Sequence, residues 1–147
     1  FKIEKIFNDF LRNNNLSNPI SLFHPRSYIS KYSKIERGTL LCPFTVVNPY
    51  ALVKCGVILN TNSIVEHDCF VDQFSSLAPG VKLGGKVKIG KRTAVSLGTT
   101  ISHGINIGDD NLIGAQSFVR NDIGNNNIYY GIPAKLIRKR EKGEIYL

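Results

Sequence analysis

The chain has 147 residues, of which 42% are hydrophobic and 20% charged, with a mean hydropathy of −0.08. This is the profile of one soluble globular domain with a core of its own, and it argues against disorder and against a membrane-embedded chain. Nineteen basic against eleven acidic residues leave a net charge of +8, which favours polyanionic partners such as nucleic acid, an anionic membrane or a phosphate-rich cofactor.

Nucleic acid is disfavoured, because the basic residues are scattered and no aromatic module for stacking bases accompanies them. The three cysteines, Cys42, Cys55 and Cys69, are odd in number and lack metal-ligand spacing, which points to a reduced, cytoplasmic protein. No apolar run approaches spanning length and the N-terminus lacks a signal-peptide core, so no membrane insertion is expected. The first residue is Phe rather than Met, and the chain is expected to be a piece of something longer.

Residues 2–12 place Ile3, Ile6, Phe7, Phe10 and Leu11 at helical spacing, with Lys2, Glu4, Lys5, Asn8, Asp9 and Arg12 opposite. The pattern predicts an amphipathic helix. The expected role is a lid over the open end of the repeat array that follows; the alternative is the last helix of a preceding domain. Asn13 to Pro19 breaks the helix, so residues 1–22 form a helix-and-linker unit.

From Ile29 to Val119 an aliphatic residue falls at every sixth position: Ile29, Ile35, Leu41, Val47, Val53, Leu59, Val65, Val71, Leu77, Leu83, Ile89, Val95, Ile101, Ile107, Ile113 and Val119. A period of six matches no α-helical stripe. Four residues after each aliphatic the side chain is small or β-branched, Asn111 excepted. That position lies two residues before the next aliphatic, so both face one side of an extended strand, the core side. The position just before the small residue, three after the aliphatic, carries Gly, Asn or Asp in nine of sixteen hexads, including Gly38, Asn62, Asp68 and Gly80, the types that tolerate positive φ at a corner.

Each hexad is therefore a short strand and a corner. Three close a triangle, and eighteen residues make one coil of an all-β, parallel β-helix whose coils stack at roughly 4.8 Å. The run predicts about five coils over a domain of residues 23–127. No hexad is interrupted, so a private pocket on one subunit is not expected. After Val119 the period fails, and residues 128–147, rich in Lys135, Arg138, Lys139, Arg140 and Lys142, are expected to form a short helical tail.

Histidine is the side chain best suited to move a proton near neutral pH. His24 precedes Pro25 before the coils and carries no signal. His67 and His103 share one corner phase and lie 36 residues, two coils, apart, which stacks them in a column about 10 Å apart with Gly85 between. The arrangement suggests room for a flat ligand against the Gly85 backbone. Asp68, at the next corner position, can orient His67 by accepting its Nδ1–H and can equally serve as a corner residue with positive φ. Glu66 points outward beside them.

The run Asn60-Thr61-Asn62-Ser63-Ile64-Val65-Glu66-His67-Asp68, with Leu77-Ala78-Pro79-Gly80-Val81, Gly84-Gly85-Lys86-Val87-Lys88-Ile89-Gly90 and Gly131-Ile132-Pro133-Ala134-Lys135, resembles the sialic-acid O-acetyltransferase and bacillosamine/perosamine N-acetyltransferase branch of hexapeptide-repeat acyltransferases. The resemblance implies a left-handed β-helix, a homotrimer with clefts between subunits, and acetyl-CoA as cosubstrate. It implies a sugar or nucleotide-sugar acceptor, with the amino group of a nucleotide-linked amino sugar foremost and O-acetylation of a sugar or sialic acid as the alternative.

By that resemblance His67 is the general base and Asp68 its partner, Gly85 contacts the acetyl end, and Leu97 and Ala115 line the pantetheine groove. Ser76 stands where some members carry a second histidine. His103 and Lys135 join the cofactor-binding candidates, with Lys91, Arg92 and Arg138 as further phosphate contacts, and Asn60, Asn62 and Glu66 are candidate acceptor contacts. Members of the branch usually carry an N-terminal Rossmann-like domain for the sugar nucleotide, which has no counterpart here. No metal is expected. A γ-type carbonic anhydrase, which shares the fold but needs three zinc-binding histidines, and a non-enzymatic β-helix scaffold are the readings from other classes.

Overall fold

A computed structural model describes residues 2–14, 19–141 and 144. The order of elements is one helix, α1 (Lys2–Asn13), then two-residue strands at every sixth residue from β1 (Leu22–Phe23), β2 (Tyr28–Ile29) and β3 (Lys34–Ile35) to β17 (Phe118–Val119), then β18 (Asn127–Gly131) and β19 (Ala134–Lys139). Of the predicted helix break, residues 15–18 lie outside the described residues, as does Lys142 of the basic tail.

Successive strands go to three different sheets, here faces A, B and C, and each strand pairs in parallel with the one eighteen residues on. Leu22 pairs with Leu40, Tyr28 with Val46 and Lys34 with Leu52. The result is a triangular prism with edges A–B, B–C and C–A. Face B has six strands, so the prism has about six coils where the hexads counted from Ile29 predict about five. The extra rung begins at β1, whose Phe23 occupies the hexad position but is aromatic and 46% exposed, and so escapes an aliphatic pattern.

The core is the column of hexad aliphatics. All from Leu41 to Val119 are buried, most of them completely, and truncating one of the larger, such as Leu83→Ala, costs about 2–5 kcal/mol. The small residues that precede them fill the space between rungs. Where these are threonines, the hydroxyl donates to a backbone carbonyl: Thr39 to Glu36 at 2.7 Å, Thr45 to Cys42 at 2.8 Å, Thr99 to Gly114 at 2.8 Å. A buried hydroxyl is thereby satisfied inside an apolar prism. Asn111, the one polar exception, is fully buried; its amide donates to Gly108 O and its carbonyl accepts from Asn127 N.

Corner geometry is imposed by the coil, not by residue type. Every corner residue from Gly38 to Gln116 takes a φ between 54° and 74°, including Phe44, Tyr50, Phe74, Lys86, Arg92 and Gln116, residues that rarely adopt it. Asp122 does not; the last coil is two residues short, with Ile107 bridging Ile123 and Leu112 pairing with Ile128.

Two expectations are corrected here. Helix α1 is no lid across the prism end: it lies along the C–A edge. Phe7 meets Phe74 edge-on at 5.5 Å and sits over Gly38, where a β-carbon would come within 2.8 Å of its ring, while Glu4 reaches Arg92 at 3.4 Å. Gly38, Phe74 and Arg92 belong to one column along that edge, and the missing side chain at Gly38 makes the slot the helix occupies. Over its described residues the C-terminal tail is not helical. Ile128, Tyr129 and Tyr130, all good strand formers, extend face A from Leu112–Ile113, and β19 folds back on β18 as an antiparallel hairpin.

Candidate active site

The histidine run leaves face B at β8 (Ile64–Val65) and turns the B–C edge. At that corner Asp68 has φ 59°, and this left-handed conformation turns its carboxylate back along the chain. Its Oδ2 stands 2.8 Å from Nδ1 of His67. One residue thus combines the corner conformation with a carboxylate within hydrogen-bond distance of the ring. A carboxylate accepting from Nδ1–H leaves Nε2 as the unprotonated nitrogen, the form a general base needs. Both side chains are about half exposed, 55% and 45%, so the ion pair itself contributes little to stability.

Gly85 stands one coil above His67, and Lys86 N donates to His67 O at 2.9 Å. A β-carbon on Gly85 would lie 2.5 Å from Nε2 and 2.6 Å from Cε1 of His67. The imidazole therefore leans over the Gly85 backbone. This corrects the expectation of an open slot there for a flat ligand, since the catalytic candidate's own ring occupies it. Gly84 is required for a different reason: a β-carbon there would meet the His103 backbone nitrogen at 2.7 Å. His103 is exposed on the same edge one coil further up, and with Glu66, Lys82, Thr100 and Phe118 it lines a shallow groove of about 400 Å³ on face B. Glu66 accepts a hydrogen bond from the Asn48 amide at 2.9 Å.

The remaining candidates stand elsewhere on the prism. Asn60 and Asn62 are on the A–B edge, with Leu97 and Ala115 two and three coils above them. The Asn60 amide donates to Leu77 O at 3.0 Å and Asn62 is a corner residue with φ 58°, so both have structural uses. Leu97 is 54% exposed, next to Gly98, whose backbone the Gln116 side-chain amide covers, and Gly80 faces the Gly98 α-carbon from one coil below. Ser76 lies on face A in β10 (Ser76–Leu77), and Lys135 is exposed on β19. Arg92 and Arg138 are engaged by carboxylates, Arg92 by Asp110 and Glu4, Arg138 by Glu144.

A single chain therefore unites His67, Asp68, Gly85 and His103 on one edge and Asn60, Asn62, Leu97 and Ala115 on another, six residues and at most about 20 Å away. Tyr50 was missed by motif reading. It shares the corner phase of Asp68 exactly one coil below, and the same eighteen-residue arithmetic that stacks His67 on Gly85 would have found it.

The chemistry available at the B–C edge is proton abstraction by an oriented, half-exposed imidazole. Among the described residues no group of three or more His, Cys, Asp or Glu is placed to hold a metal ion, and no helix is long and apolar enough to cross a membrane.

This architecture, a parallel prism of hexads with one flanking helix, is the fold of the left-handed β-helix acetyltransferases. By sequence and fold the chain is similar to the sugar N-acetyltransferase branch of the hexapeptide-repeat proteins. Over 67 residues, 46% of the chain, it is 30% identical to GDP-perosamine N-acetyltransferase of Escherichia coli O157:H7, and covers 30% of that protein. The acetyltransferase domain of PglB from Neisseria gonorrhoeae, solved with acetyl coenzyme A, superposes with a TM-score of 0.84 at 29% identity, covering 90% of this chain and 66% of that one. PerB from Caulobacter crescentus, solved with CoA and GDP-perosamine, gives 0.88 at 24% identity, covering 92% and 65%. The chain thus spans about a third of the curated relative and just under two thirds of these solved chains. No protein-family model matches it.

Proposed function

We propose that the chain is the β-helix part of an acetyl-CoA-dependent acetyltransferase that acylates a sugar, foremost the amino group of a nucleotide-linked amino sugar. The observation that carries this reading is the His67–Asp68 pair at 2.8 Å with the imidazole held over Gly85. Acetyl-CoA supplies the activated acyl group as a thioester. His67 Nε2 accepts the proton the amine loses as its nitrogen bonds to the acetyl carbon, and returns it to the sulfur as the carbon–sulfur bond breaks. Such a base contributes roughly a hundred- to ten-thousand-fold, and holding the acceptor in place contributes more.

Residues present here suit the thioester substrate. The strip of exposed Leu97 and Ala115 on the A–B edge offers apolar surface to a pantetheine arm, and Lys135 offers a cation to the phosphates of the cosubstrate. Because the base and this strip lie on different edges of one chain, the reading calls for a homotrimer in which the B–C edge of one copy faces the A–B edge of the next. Residues 23–127 form the catalytic unit, and the nucleotide part of the acceptor falls to a preceding Rossmann-like domain joined through residues 1–22. Both substrates belong to the cytoplasm.

Acetyl-CoA consumption screened against UDP- and GDP-linked amino sugars and free sialic acids tests this. Consumption with a nucleotide-linked amino sugar supports it, and consumption only with sialic acids moves the assignment to O-acetylation. No consumption, with no acetyl-CoA bound at millimolar concentration, leaves the scaffold reading.

A further inference from the structure

The column that carries the Asp68 corner continues downward through Tyr50 and Tyr32, eighteen and thirty-six residues earlier. The coils are laddered there, with Asp68 N donating to Pro49 O at 3.1 Å and Tyr50 N to Tyr32 O at 3.2 Å. The two phenol rings lie against each other as a tilted pair, centroids 6.0 Å apart and planes at 30°. Both are largely exposed, 67% for Tyr50 and 57% for Tyr32, and the Lys31 ammonium stands 5.0 Å from the Tyr32 ring centre.

Tyr50 holds this position against its own backbone preference, with φ 62°, a conformation that costs a bulky side chain. Two other aromatic corners make the same sacrifice and use the ring inside the chain. Phe74 covers Gly56 and receives Phe7, and Phe44 lies under the Arg26 guanidinium. The outer face of Tyr50 is given to solvent one coil below the Asp68 corner.

We infer that Tyr50, backed by Tyr32, is the platform on which the pyranose ring of the acceptor amino sugar stacks while its amine is presented to His67. The inference rests on the acetyltransferase reading above. The Gly85 side of the imidazole is closed, because the ring leans over that backbone, so the acceptor approaches from the opposite side, and in this column that side is Pro49-Tyr50. An aromatic face with its negative quadrupole takes the C–H-rich face of a sugar ring, and a rigid two-χ side chain does so at low entropic cost.

The test is steady-state kinetics on the full chain with Tyr50→Gly and Tyr50→Phe. Glycine suits φ 62° better than tyrosine does, so Tyr50→Gly removes the ring without endangering the fold and should melt no lower than the parent. The expected result is an acceptor KM raised about tenfold or more with acetyl-CoA KM unchanged, and near-parental values for Tyr50→Phe. An unchanged acceptor KM in Tyr50→Gly overturns the inference and leaves the acetyltransferase reading standing. A changed oligomeric mass by light scattering also overturns it, assigning the ring to contact with a second copy. If the parent chain transfers no acetyl group, both readings fall together.

Discussion

The imidazole of His67 rests on the α-carbon of Gly85, so close that a methyl group there would stand 2.5 Å from Nε2. Two consecutive glycines, Gly84 and Gly85, thus serve different partners one residue apart, one a backbone and the other a side chain, and substitution should separate them.

Gly85→Ala should swing the imidazole off the edge. A side chain can move where backbone cannot, so melting temperature should change little while kcat falls roughly tenfold or more through misplacement of the base. Gly84→Ala meets the His103 backbone nitrogen at 2.7 Å and should instead destabilise the prism by about 1–3 kcal/mol. Chemical denaturation and kinetics on the two variants distinguish the cases; equal stability losses would contradict the assignment.

Asp68→Asn should lower kcat about ten- to a hundredfold with stability retained. Asparagine tolerates the left-handed corner as aspartate does, but a neutral amide stabilises the imidazolium less and no longer fixes the Nδ1–H tautomer. Asp68→Ala loses the same function and adds corner strain of about 1–2 kcal/mol. Activity and melting temperature measured together show whether the carboxylate or the corner matters.

Burial against the prism core pushes the Cys69 thiol up to about 11 from the usual 9, and its Sγ is held 3.1 Å from Gly84 O. A thiol that keeps its proton longer in the folded state stabilises the fold fully below pH 9. That stability is lost as pH rises through 9 to 11, where the unfolded chain has already ionised. The slope is at most about 1.4 kcal/mol per pH unit. Denaturation midpoints from pH 8 to 11 should fall less steeply in Cys69→Ala, and native Cys69 should resist thiol reagents until unfolding. Identical slopes would show that the thiol ionises as freely inside as outside.

Much of the fold was legible because a β-helix repeats its rule. The aliphatic and small-residue positions each form a column, and burial of Leu41 through Val119 follows from a period of six. What escaped the sequence is what the rule imposes on unwilling residues. Nothing about Tyr50, Phe74 or Lys86 announces positive φ; the neighbours above and below dictate it. Nor could the helix be placed, since an apolar stripe says that something is covered but not what. Its seat on the C–A edge depends on Gly38 and Phe74 being two coils apart. The tail misled because Lys and Arg suit a helix, whereas Ile128 to Tyr130 had an open strand edge at Leu112–Ile113 to extend.

At the site, the pairing of His67 with Asp68 follows from adjacency at a corner and the stacking on Gly85 from the eighteen-residue coil. The distribution of the other candidates over two edges also follows from phase. Which edges meet in an assembly does not, because a single chain's sequence encodes no partner geometry by period alone.

Acetyl transfer at the B–C edge requires His67 as the base. The most direct measurement is the acetyl-transfer rate of His67→Ala on a nucleotide-linked amino sugar, with acetyl-CoA affinity and melting temperature determined on the same preparation. The prediction is a rate lower by about a hundredfold or more with binding and stability preserved; a rate equal to that of the parent chain would contradict it.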